Sequence, residues 1–374
     1  MPSIRSGPPY HMTDMIAAEP AVAERLLARL AASGGPAAAL AGAVRRAVEA
    51  GLPVVMTGCG TSEHAALGGV ETLRGALGAA GLAPSTLAAA QAFELSLDPP
   101  SGGLVIGISH EGGTAATNAA LEASRRAGAT TAIVTVSERS PAAGLADIVV
   151  PTEELDQGWC HVVGYLAPVL AIAAVGGHVS DRAVDVAAAV RILAAGSAQE
   201  AAAETLAGRL AGVERLLVVA SGSDRPAGRE LVLKVEEGAW LPSAYRDLET
   251  MLHGHLAATD TSTGLVVVLA DREGRAQRVA RATDLLRAAE IVGMPAAAIV
   301  AESAAATIPD RLTPAGRLIA AEAPELAAPV AALLGTATPL QLLAERLARA
   351  RGVNPDPIHR AEPRYAAAAD AAGG

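Results

Sequence analysis

Leu52-Pro53-Val54-Val55-Met56-Thr57 runs directly into Gly58-Cys59-Gly60-Thr61-Ser62, and an alanine-rich segment follows. A second stretch repeats this order: Leu104-Val105-Ile106-Gly107-Ile108, then Ser109-His110-Glu111-Gly112-Gly113-Thr114, then further alanines. Short, continuously apolar runs are typical of parallel strands covered by helices on both faces. Each stretch therefore predicts a buried strand, a tight loop and a helix.

The two loops have the composition of an anion-binding turn. Backbone N–H groups are unpaired at a helix start, the helix dipole is positive there, and hydroxyl side chains add donors. The alternative is that glycine, serine and threonine only build turns and helix caps. Because two such loops follow neighbouring units of one predicted sheet, we favour a ligand site made of Cys59, Gly60, Thr61, Ser62, Ser109, His110, Gly113 and Thr114. Glu111 is unexpected, since a carboxylate beside a phosphate costs free energy unless it turns away.

Composition excludes several classes of protein. The 374 residues are half hydrophobic and carry a net charge of −10, which leaves no basic stripe for nucleic acid. No uninterrupted apolar run approaches the length of a membrane span, and the first residues lack the layout of a signal peptide. Cys59 and Cys160 form no CxxC pair, so we expect no disulfide and a reducing cytoplasm.

Strand and helix patterns alternate along the chain, and the alternation then repeats. We expect residues 1–36 to form an N-terminal segment and helix, capped by Thr13 or Asp14. Residues 37–195 form a first α/β domain, residues 196–350 a second one, and residues 351–374 a tail. A long helix is expected from about Gly158 to Val175. The layout predicts doubly wound parallel sheets and an internal duplication.

A charged helix in the second half supplies candidates for proton transfer. Helical spacing puts Glu230, Lys234 and Glu237 along one face, whereas Glu236 is expected on the surface. A buried lysine would keep Glu237 ionised, which suits a base that removes a proton next to a carbonyl. The alternative is an exposed charged helix. His253, in a short apolar turn with His255, could move a proton to a ring oxygen.

The segment from Glu153 to His161 follows a strand and is polar, as functional loops often are. Cys160 beside His161 could be a nucleophile with its base, but adjacent helical residues point about 100° apart. We therefore expect Cys160 to be a small buried filler. His253 and His255 could bind a metal with His64, His110, His161 or Cys160. No spacing matches a closed metal site or a cofactor fingerprint, so we expect neither a metal nor a cofactor.

At these residues the chain resembles the tandem sugar-isomerase (SIS) family, which includes the isomerase half of glucosamine-6-phosphate synthase and amino-sugar-phosphate deaminases. The resemblance runs from about Met12 to Asp356 and rests on the two loops and on the segment 230–255. It implies two doubly wound parallel-sheet SIS domains, each a three-layer α/β/α unit. It also implies a homodimer and a small-molecule sugar or sugar phosphate as ligand.

The resemblance also implies roles for individual residues. Glu237 matches the glutamate that moves a proton between C1 and C2, and Lys234 a lysine one helical turn before it. His253 matches the ring-opening histidine, which in relatives reaches across from the other subunit. Asp156 lies near a glutamate that lines the site.

Three departures from the family pattern separate this chain from the synthase. Glu111 replaces a phosphate-binding serine, and His161 and Val163 replace a serine and a lysine. The tail lacks the lysine that closes over the sugar, for which His359, Arg360 and Arg364 are the candidate substitutes.

The leading hypothesis is an aldose–ketose isomerase or amino-sugar-phosphate deaminase that works through an enol or enolamine. One alternative is a non-catalytic sugar-phosphate sensor. Another is an isomerase or deglycase of an unphosphorylated sugar derivative that Glu111 contacts.

Overall fold

The computed structural model describes residues 4–83 and 86–372. Residues 1–3 of the predicted N-terminal segment and the last two residues of the tail lie outside the described residues. The first five strands are β1 Val54–Gly58, β2 Leu87–Gln91, β3 Leu104–Ile108, β4 Thr130–Thr135 and β5 Ile148–Pro151. The other five are β6 Arg215–Ala220, β7 Ser243–Asp247, β8 Thr263–Leu269, β9 Ala296–Ala301 and β10 Gly316–Ala320.

The helices connect and cover these strands. Those up to the middle of the chain are α1 His11–Leu30, α2 Pro36–Glu49, α3 Thr61–Ala79, α4 Ala92–Leu97, α5 Ala115–Arg126, α6 Val163–Ser180 and α7 Val186–Ser197. The remainder are α8 Glu200–Leu210, α9 Arg225–Ala239, α10 Leu248–Leu252, α11 Arg275–Val292, α12 Glu302–Ala305, α13 Ala328–Ala350 and α14 Pro363–Ala371.

Two parallel five-stranded sheets organise the molecule, which confirms the predicted α/β class. The first has the order β2-β1-β3-β4-β5, and the second has the order β10-β9-β8-β6-β7. Counted from its own first strand, the second sheet repeats the strand order of the first. In such an order, successive strands are added on opposite sides of the boundary between β1 and β3. Ligands bind beyond the carboxyl ends of those two strands. Both quoted loops lie at this place.

A shared apolar core lies between the sheets. It is formed by one face of each sheet together with the central helices α3, α6, α9 and α13 and with α1, α2, α7 and α8. Smaller cores cover the outer faces, from α4 and α5 on the first sheet and from α10 to α12 on the second. Because α3 follows β1 and packs against α9, the fold brings the first-half loops to the charged helix of the second half.

Helix α6 is apolar on all sides, because it lies in the middle of this core. Its 18 residues are long and apolar enough to cross a membrane, but 83% of them are buried inside the fold. A helix that is hydrophobic all round is expected in the core of a protein of this size. We therefore interpret α6 as a core helix.

Several elements differ from the sequence expectations. The strands β2, β7 and β10 were not predicted, and all three are edge strands with half-buried or polar residues. The predicted start of the long helix near Gly158 is wrong, because α6 begins only at Val163. Neither Thr13 nor Asp14 is the N-cap residue of the first helix, although the Thr13 hydroxyl accepts the N–H of the N-cap residue Tyr10 at 3.1 Å.

Helix α1 begins at His11, because the tail supplies its cap. The Asp356 carboxylate accepts the backbone N–H groups of His11 and Met12 at 2.8 and 3.0 Å. The backbone carbonyl of Asp356 accepts the N–H of Trp159 at 2.8 Å. One tail residue therefore joins the start of α1 to the loop that precedes α6.

A buried carboxyl in α1 makes stability depend on pH. Glu19 is wholly buried, and its Oε2 accepts a hydrogen bond from Thr338 of α13 at 2.6 Å. Burial raises the pKa of Glu19 to about 8, although hydrogen bonds from Thr338 and Gln341 oppose the shift. The folded state thus holds this proton more tightly than the unfolded chain does. The contribution of protonated Glu19 to the free energy of unfolding is therefore fully present below pH 4.5 and is lost as pH rises through 8.

We predict that E19Q flattens the pH dependence of unfolding. In the wild type, ionisation of Glu19 should lower the free energy of unfolding by on the order of 3 kcal/mol between pH 5 and pH 8. E19Q should therefore gain stability relative to the wild type at pH 8 but not at pH 5, as measured by urea unfolding. E24Q, an exposed position of the same helix, is the matched control and should keep the wild-type slope. An unchanged slope in E19Q would contradict the assignment.

Candidate functional site

The loop after β1 is a tight strand-to-helix turn that requires glycine. A Cβ atom on Gly58 would lie 2.6 Å from the carbonyl carbon of Ser62, so the helix start packs directly on the strand end. Gly60 has a φ of 55° and a ψ of −125°, a conformation that only glycine adopts readily. Helix α3 begins at the next residue, Thr61, as the sequence predicts within one residue.

The side chains of this first loop divide into two groups. Thr61 is buried, and its hydroxyl donates to Glu230 of α9 at 3.2 Å. Cys59 is half-buried, with its Sγ 3.8 Å from the hydroxyl of Thr117. The Ser62 hydroxyl has no hydrogen-bond partner within residues 4–83 and 86–372. Ser62 therefore remains available to a ligand, whereas Thr61 is engaged with the second half of the chain.

The loop after β3 keeps the shape of an anion cradle. Gly112 has a φ of 70°, and a Cβ there would lie 2.5 Å from Ser140. The Ser109 hydroxyl donates to the Thr114 hydroxyl at 3.3 Å. The exposed residues Gly113 and Thr114 make no backbone N–H hydrogen bond to the described parts of the chain. Donors at the start of α5 are thus free for an anion.

Glu111 lies at the exposed side of this second loop. Its carboxylate has no hydrogen bond or ion pair to any described residue. An exposed carboxylate can turn into solvent, which lowers its repulsion for a bound anion. It can equally contact a ligand, so its position leaves both alternatives of the sequence analysis open.

Two histidines lie behind the second loop. The rings of His110 and His161 are 4.9 Å apart, and the N–H of Asp156 donates to His110 Nε2 at 3.1 Å. Burial lowers the pKa of His110 and lowers that of His161 to about 4; the Asp156 carboxylate opposes both shifts, while the Lys234 ammonium adds to the shift of His161. Both imidazoles are therefore neutral at physiological pH. Cys160, the residue before His161, packs against α9, since a Cβ on Gly238 would lie 3.5 Å from the Cys160 Sγ.

Asp156 holds the start of α6 in place. Its buried carboxylate accepts the N–H groups of Val162, Val163 and Gly164 at 3.0, 3.1 and 2.5 Å. These contacts use both carboxylate oxygens, so the side chain faces the helix rather than open space. Cys160 is buried, and burial raises the pKa of its thiol well above the usual range. The expectation of a buried filler is confirmed for Cys160.

The charged face of α9 forms a buried cluster. The Lys234 ammonium nitrogen lies 2.6 Å from Glu237 Oε2 and 3.6 Å from Glu230 Oε1. Lys234 and Glu230 are wholly buried, whereas the Glu237 side chain is 23% exposed. Glu236 is exposed, as expected. The cluster thus presents one carboxylate, Glu237, to the outside and keeps the other two groups inside.

Electrostatics keeps the interior of the cluster ionised. Burial would lower the pKa of Lys234, but Glu237, Cys160 and Glu230 raise it above its usual value. Burial would raise the pKa of Glu230, but the Lys234 ammonium and a hydrogen bond from His64 lower it. Lys234 is the only lysine among the 29 Lys and Arg residues of the chain. A compact ammonium that contacts two buried carboxylates differs from a guanidinium in shape and hydration.

His64 was predicted from the sequence only as a possible metal ligand. It lies one turn into α3, and its Nδ1 is 2.7 Å from Glu230 Oε2. The side chain is 14% exposed, although Glu230 is wholly buried. The signal was in the sequence, because Thr61 and His64 are three residues apart and so share one helix face. Only the packing of α3 on α9 reveals their common partner.

His253 lies apart from this cluster. Its side chain is 70% exposed, and its Nε2 is 2.8 Å from Glu249 Oε1. Arg281 binds the same Glu249, which lowers the pKa of that carboxyl to about 2. His255 is half-buried, and its Nδ1 accepts a hydrogen bond from Arg246 at 3.2 Å. Within one chain, no contact of the described residues joins His253 to Glu237 or to the two loops.

The second sheet has a corresponding loop, but the chain itself fills it. The N–H of Ser223 donates to Asp271 Oδ2 at 2.9 Å, and Arg278 pairs with the same oxygen at 2.8 Å. A Cβ on Gly222 would collide with Arg278. An internal carboxylate therefore occupies the place where a ligand anion would bind in the first half. The open site lies at the first sheet.

His359, Arg360 and Arg364, the tail residues that could replace the missing lysine, lie against aromatic rings. His359 stacks between Trp240 and Tyr365, with ring centroids 3.5 and 3.8 Å away. The Arg360 guanidinium lies 4.2 Å from the ring centroid of Trp159. The Arg364 side chain is 75% exposed and pairs with Glu362. The tail therefore covers the end of α9 and the loop before α6.

No protein-family model matches the sequence, and no curated protein matches it. Solved structures do match. The C-terminal domain of glucosamine-fructose-6-phosphate aminotransferase from Francisella tularensis superposes with a TM-score of 0.75 at 16% identity, over 95% of this chain and 100% of that one. Tagatose-6-phosphate ketose/aldose isomerase from Escherichia coli gives 0.73 at 18%, over 96% and 97%. Glucosamine-6-phosphate deaminase from Thermotoga maritima gives 0.66 at 15%, over 93% and 96%.

These structural neighbours are sugar-isomerase (SIS) proteins, as the sequence resemblance predicted. The chain has the two-sheet fold of the tandem SIS proteins over nearly its whole length. At 15 to 18% identity the similarity defines the fold, and the chemistry must be argued from the site. Among the described residues, no group of three or more His, Cys, Asp and Glu side chains converges on a possible metal position.

We predict that K234M strongly destabilises the protein. Removing one partner of a buried ion pair leaves Glu230 as a buried charge, which costs about 3–5 kcal/mol. Urea unfolding of K234M measures this cost. R229M, which removes an exposed cation of the same helix, is the control and should change the free energy of unfolding by less than about 1 kcal/mol. Equal effects in the two variants would contradict the structural role of Lys234.

Proposed function

We propose that this protein is a sugar-phosphate isomerase or amino-sugar-phosphate deaminase in which Glu237 is the proton-transfer base. The observation that carries the proposal is the buried ion cluster of α9. Lys234, the only lysine of the chain, is held at 2.6 Å from a partly exposed glutamate on the helix that contacts the first anion loop. A carboxylate with one oxygen on an ammonium and the other open suits removal of a proton next to a carbonyl.

The reaction would proceed through an enol or enolamine. Glu237 removes the proton from C2 of the open-chain sugar, and the electron pair moves toward the carbonyl oxygen. The buried Lys234 ammonium would keep the Glu237 carboxylate ionised and fixed in position for this step. Return of the proton to C1 gives the other isomer. When C2 carries an amino group, return of the proton to C1 gives an imine at C2, which water hydrolyses to the ketose and ammonia.

The structural neighbours support this class of chemistry. Their names describe an aminotransferase, an isomerase and a deaminase of sugar phosphates. In this chain the ligand would bind Cys59, Gly60 and Ser62 in the first loop. The second loop would contribute Ser109, Gly113 and Thr114. The proposed fold units are residues 37–195 and 196–350, with a cytoplasmic location.

We predict that E237Q abolishes proton exchange at C1 of fructose 6-phosphate and at C2 of glucosamine 6-phosphate. The wild type, incubated in D2O with fructose 6-phosphate and with glucosamine 6-phosphate, should incorporate deuterium that NMR detects. E237Q should lower the rate by at least about 100-fold, the scale of a lost acid–base group. E236Q, the exposed neighbour, is the matched control and should keep wild-type exchange. Exchange retained in E237Q would remove this glutamate from the mechanism.

Exchange and binding measurements together distinguish the alternative functions. Binding of a sugar phosphate without exchange or ammonia release by the wild type would identify a sensor. Calorimetry on E237Q compares the binding affinity of fructose with that of fructose 6-phosphate and so measures what the phosphate group contributes. Tighter binding of the free sugar would favour an unphosphorylated substrate that Glu111 contacts.

The exposure of His253 supports a role in a partner subunit. A side chain that is 70% exposed, and that no described contact joins to Glu237 or to the two loops of its own chain, is free to reach a site in another subunit. We therefore include a homodimer in the proposal, with His253 opening the sugar ring in the partner's site. Arg281 and Glu249 would orient the imidazole.

We predict that inactive E237Q and inactive H253N recover activity when their subunits are mixed. A mixed dimer contains one site with an intact Glu237 and an intact His253, because the two residues come from different chains. Statistical exchange should restore about a quarter of the wild-type turnover of the phosphate substrate. Each variant mixed with itself is the control. No recovery despite proven subunit exchange would place both residues in one chain or exclude His253.

A further inference from the structure

The buried carboxylate Glu230 joins the two halves of the chain at the candidate site. Its Oε1 accepts the Thr61 hydroxyl at 3.2 Å and lies 3.6 Å from Lys234, and its Oε2 lies 2.7 Å from His64 Nδ1. Both oxygens are thus occupied by groups from α3 and α9. A carboxylate fixed in this way also fixes the orientation of the imidazole that binds it.

The hydrogen-bond chemistry determines which nitrogen of His64 is available. An ionised carboxylate can only accept hydrogen bonds, so the proton of the 2.7 Å contact belongs to Nδ1. In the neutral imidazole, Nε2 then carries a lone pair. Nε2 has no hydrogen-bond partner in the described ranges 4–83 and 86–372. Because Glu230 is wholly buried while His64 is 14% exposed, the open part of the ring is the edge away from Glu230.

This arrangement has the parts of an acid–base dyad. A carboxylate on one ring nitrogen sets the tautomer and the orientation of the imidazole, and the other nitrogen exchanges a proton. The dyad belongs to the same site as Glu237, because the single Lys234 ammonium contacts both Glu230 and Glu237. His64 also follows directly on the Gly58–Ser62 loop that we assign to the ligand.

Other histidines near the site lack this combination. His110 uses its Nε2 to accept the N–H of Asp156. His161 stacks near His110, and no hydrogen bond to the described residues orients its ring. His253 is exposed and lies apart from Glu237 in its own chain.

We infer that His64, oriented by Glu230, is a second catalytic residue of the site and moves the oxygen-bound proton of the sugar. This inference rests on the proposed isomerase or deaminase function. In isomerisation two protons must move: one between C2 and C1, and one between O2 and O1. Glu237 carries the first, and His64 Nε2 carries the second.

The steps balance as follows for an open-chain aldose. Glu237 takes the proton from C2, the C–H electron pair forms the C1–C2 double bond, and the carbonyl electron pair becomes a negative charge on O1. The neutral Nε2 then accepts the O2 proton and passes it to O1, the C2–O2 double bond forms, and C1 takes its proton from Glu237. Both side chains return to their starting states, and no external reactant is consumed.

The test compares H64N and H64A with the wild type in fructose 6-phosphate and glucosamine 6-phosphate turnover. The asparagine amide can keep the contact with Glu230 but lacks Nε2, so H64N should fold normally. H178N is the matched control, since His178 is a half-buried imidazole that contacts a backbone carbonyl, that of Leu30, outside the site. We expect kcat to fall at least about 100-fold in H64N, with KM changed much less. Added imidazole should restore part of the activity of H64A.

A measurement independent of turnover accompanies these rates. In ¹⁵N NMR the Nε2 resonance of His64 should shift when fructose 6-phosphate binds, whereas that of His178 should not. A kcat of H64N within about threefold of the wild type would overturn the inference and leave the proposed function intact. A low rate without imidazole rescue and without an Nε2 shift would show a structural role only, and would also overturn it. A wild type that turns over neither sugar phosphate would refute the proposed function, and the inference with it.

Discussion

The site depends on one buried ammonium between two carboxylates. Moving such charges out of water costs several kcal/mol each unless partners replace the lost hydration. Lys234 and Glu230 meet this requirement only because α3 supplies Thr61 and His64 and because Glu237 closes the other side. The ion cluster therefore requires correct packing of α3 on α9. The same packing brings the charged face of α9, from the second half, to the first loop of the first half.

The duplication of the fold did not produce two equal sites. Both sheets have the same strand order, and both place a small-residue loop after their first strand. In the second half, Asp271 and Arg278 fill the loop with an internal ion pair. In the first half the corresponding donors remain free. In the proposed site, one sheet would provide the binding loops, and the other would provide the helix that carries Glu237.

Much of this architecture could be predicted from sequence, because its signals are local. Continuous apolar runs indicated central strands such as β1 and β3, and helical spacing placed Glu230, Lys234 and Glu237 on one face. The edge strands β2, β7 and β10 lacked that signal, because they consist largely of polar or small residues that are only half-buried. The start of α1 was unpredictable because its cap comes from Asp356, at the other end of the chain.

The site was predictable where it depends on neighbouring residues and unpredictable where it depends on packing. The two loops and the Glu237–Lys234 pair follow from residues a few positions apart. The contact of His64 with Glu230 spans 166 residues, so no local pattern reveals it. The capping role of Asp156 was missed for a related reason. A capping side chain normally comes from the residue directly before the helix, whereas α6 begins seven residues after Asp156.

The clamp at Asp356 has a consequence for biosynthesis. Its carboxylate holds the start of α1, and its carbonyl holds Trp159 in the loop before His161. All three contacts need a residue that lies near the carboxyl terminus. While the ribosome is still making α13, the amino-terminal helix and the wall of the site therefore lack their common anchor. The nascent chain can build its first sheet early, but the start of α1 and the loop before α6 gain this anchor only after residue 356 has left the exit tunnel.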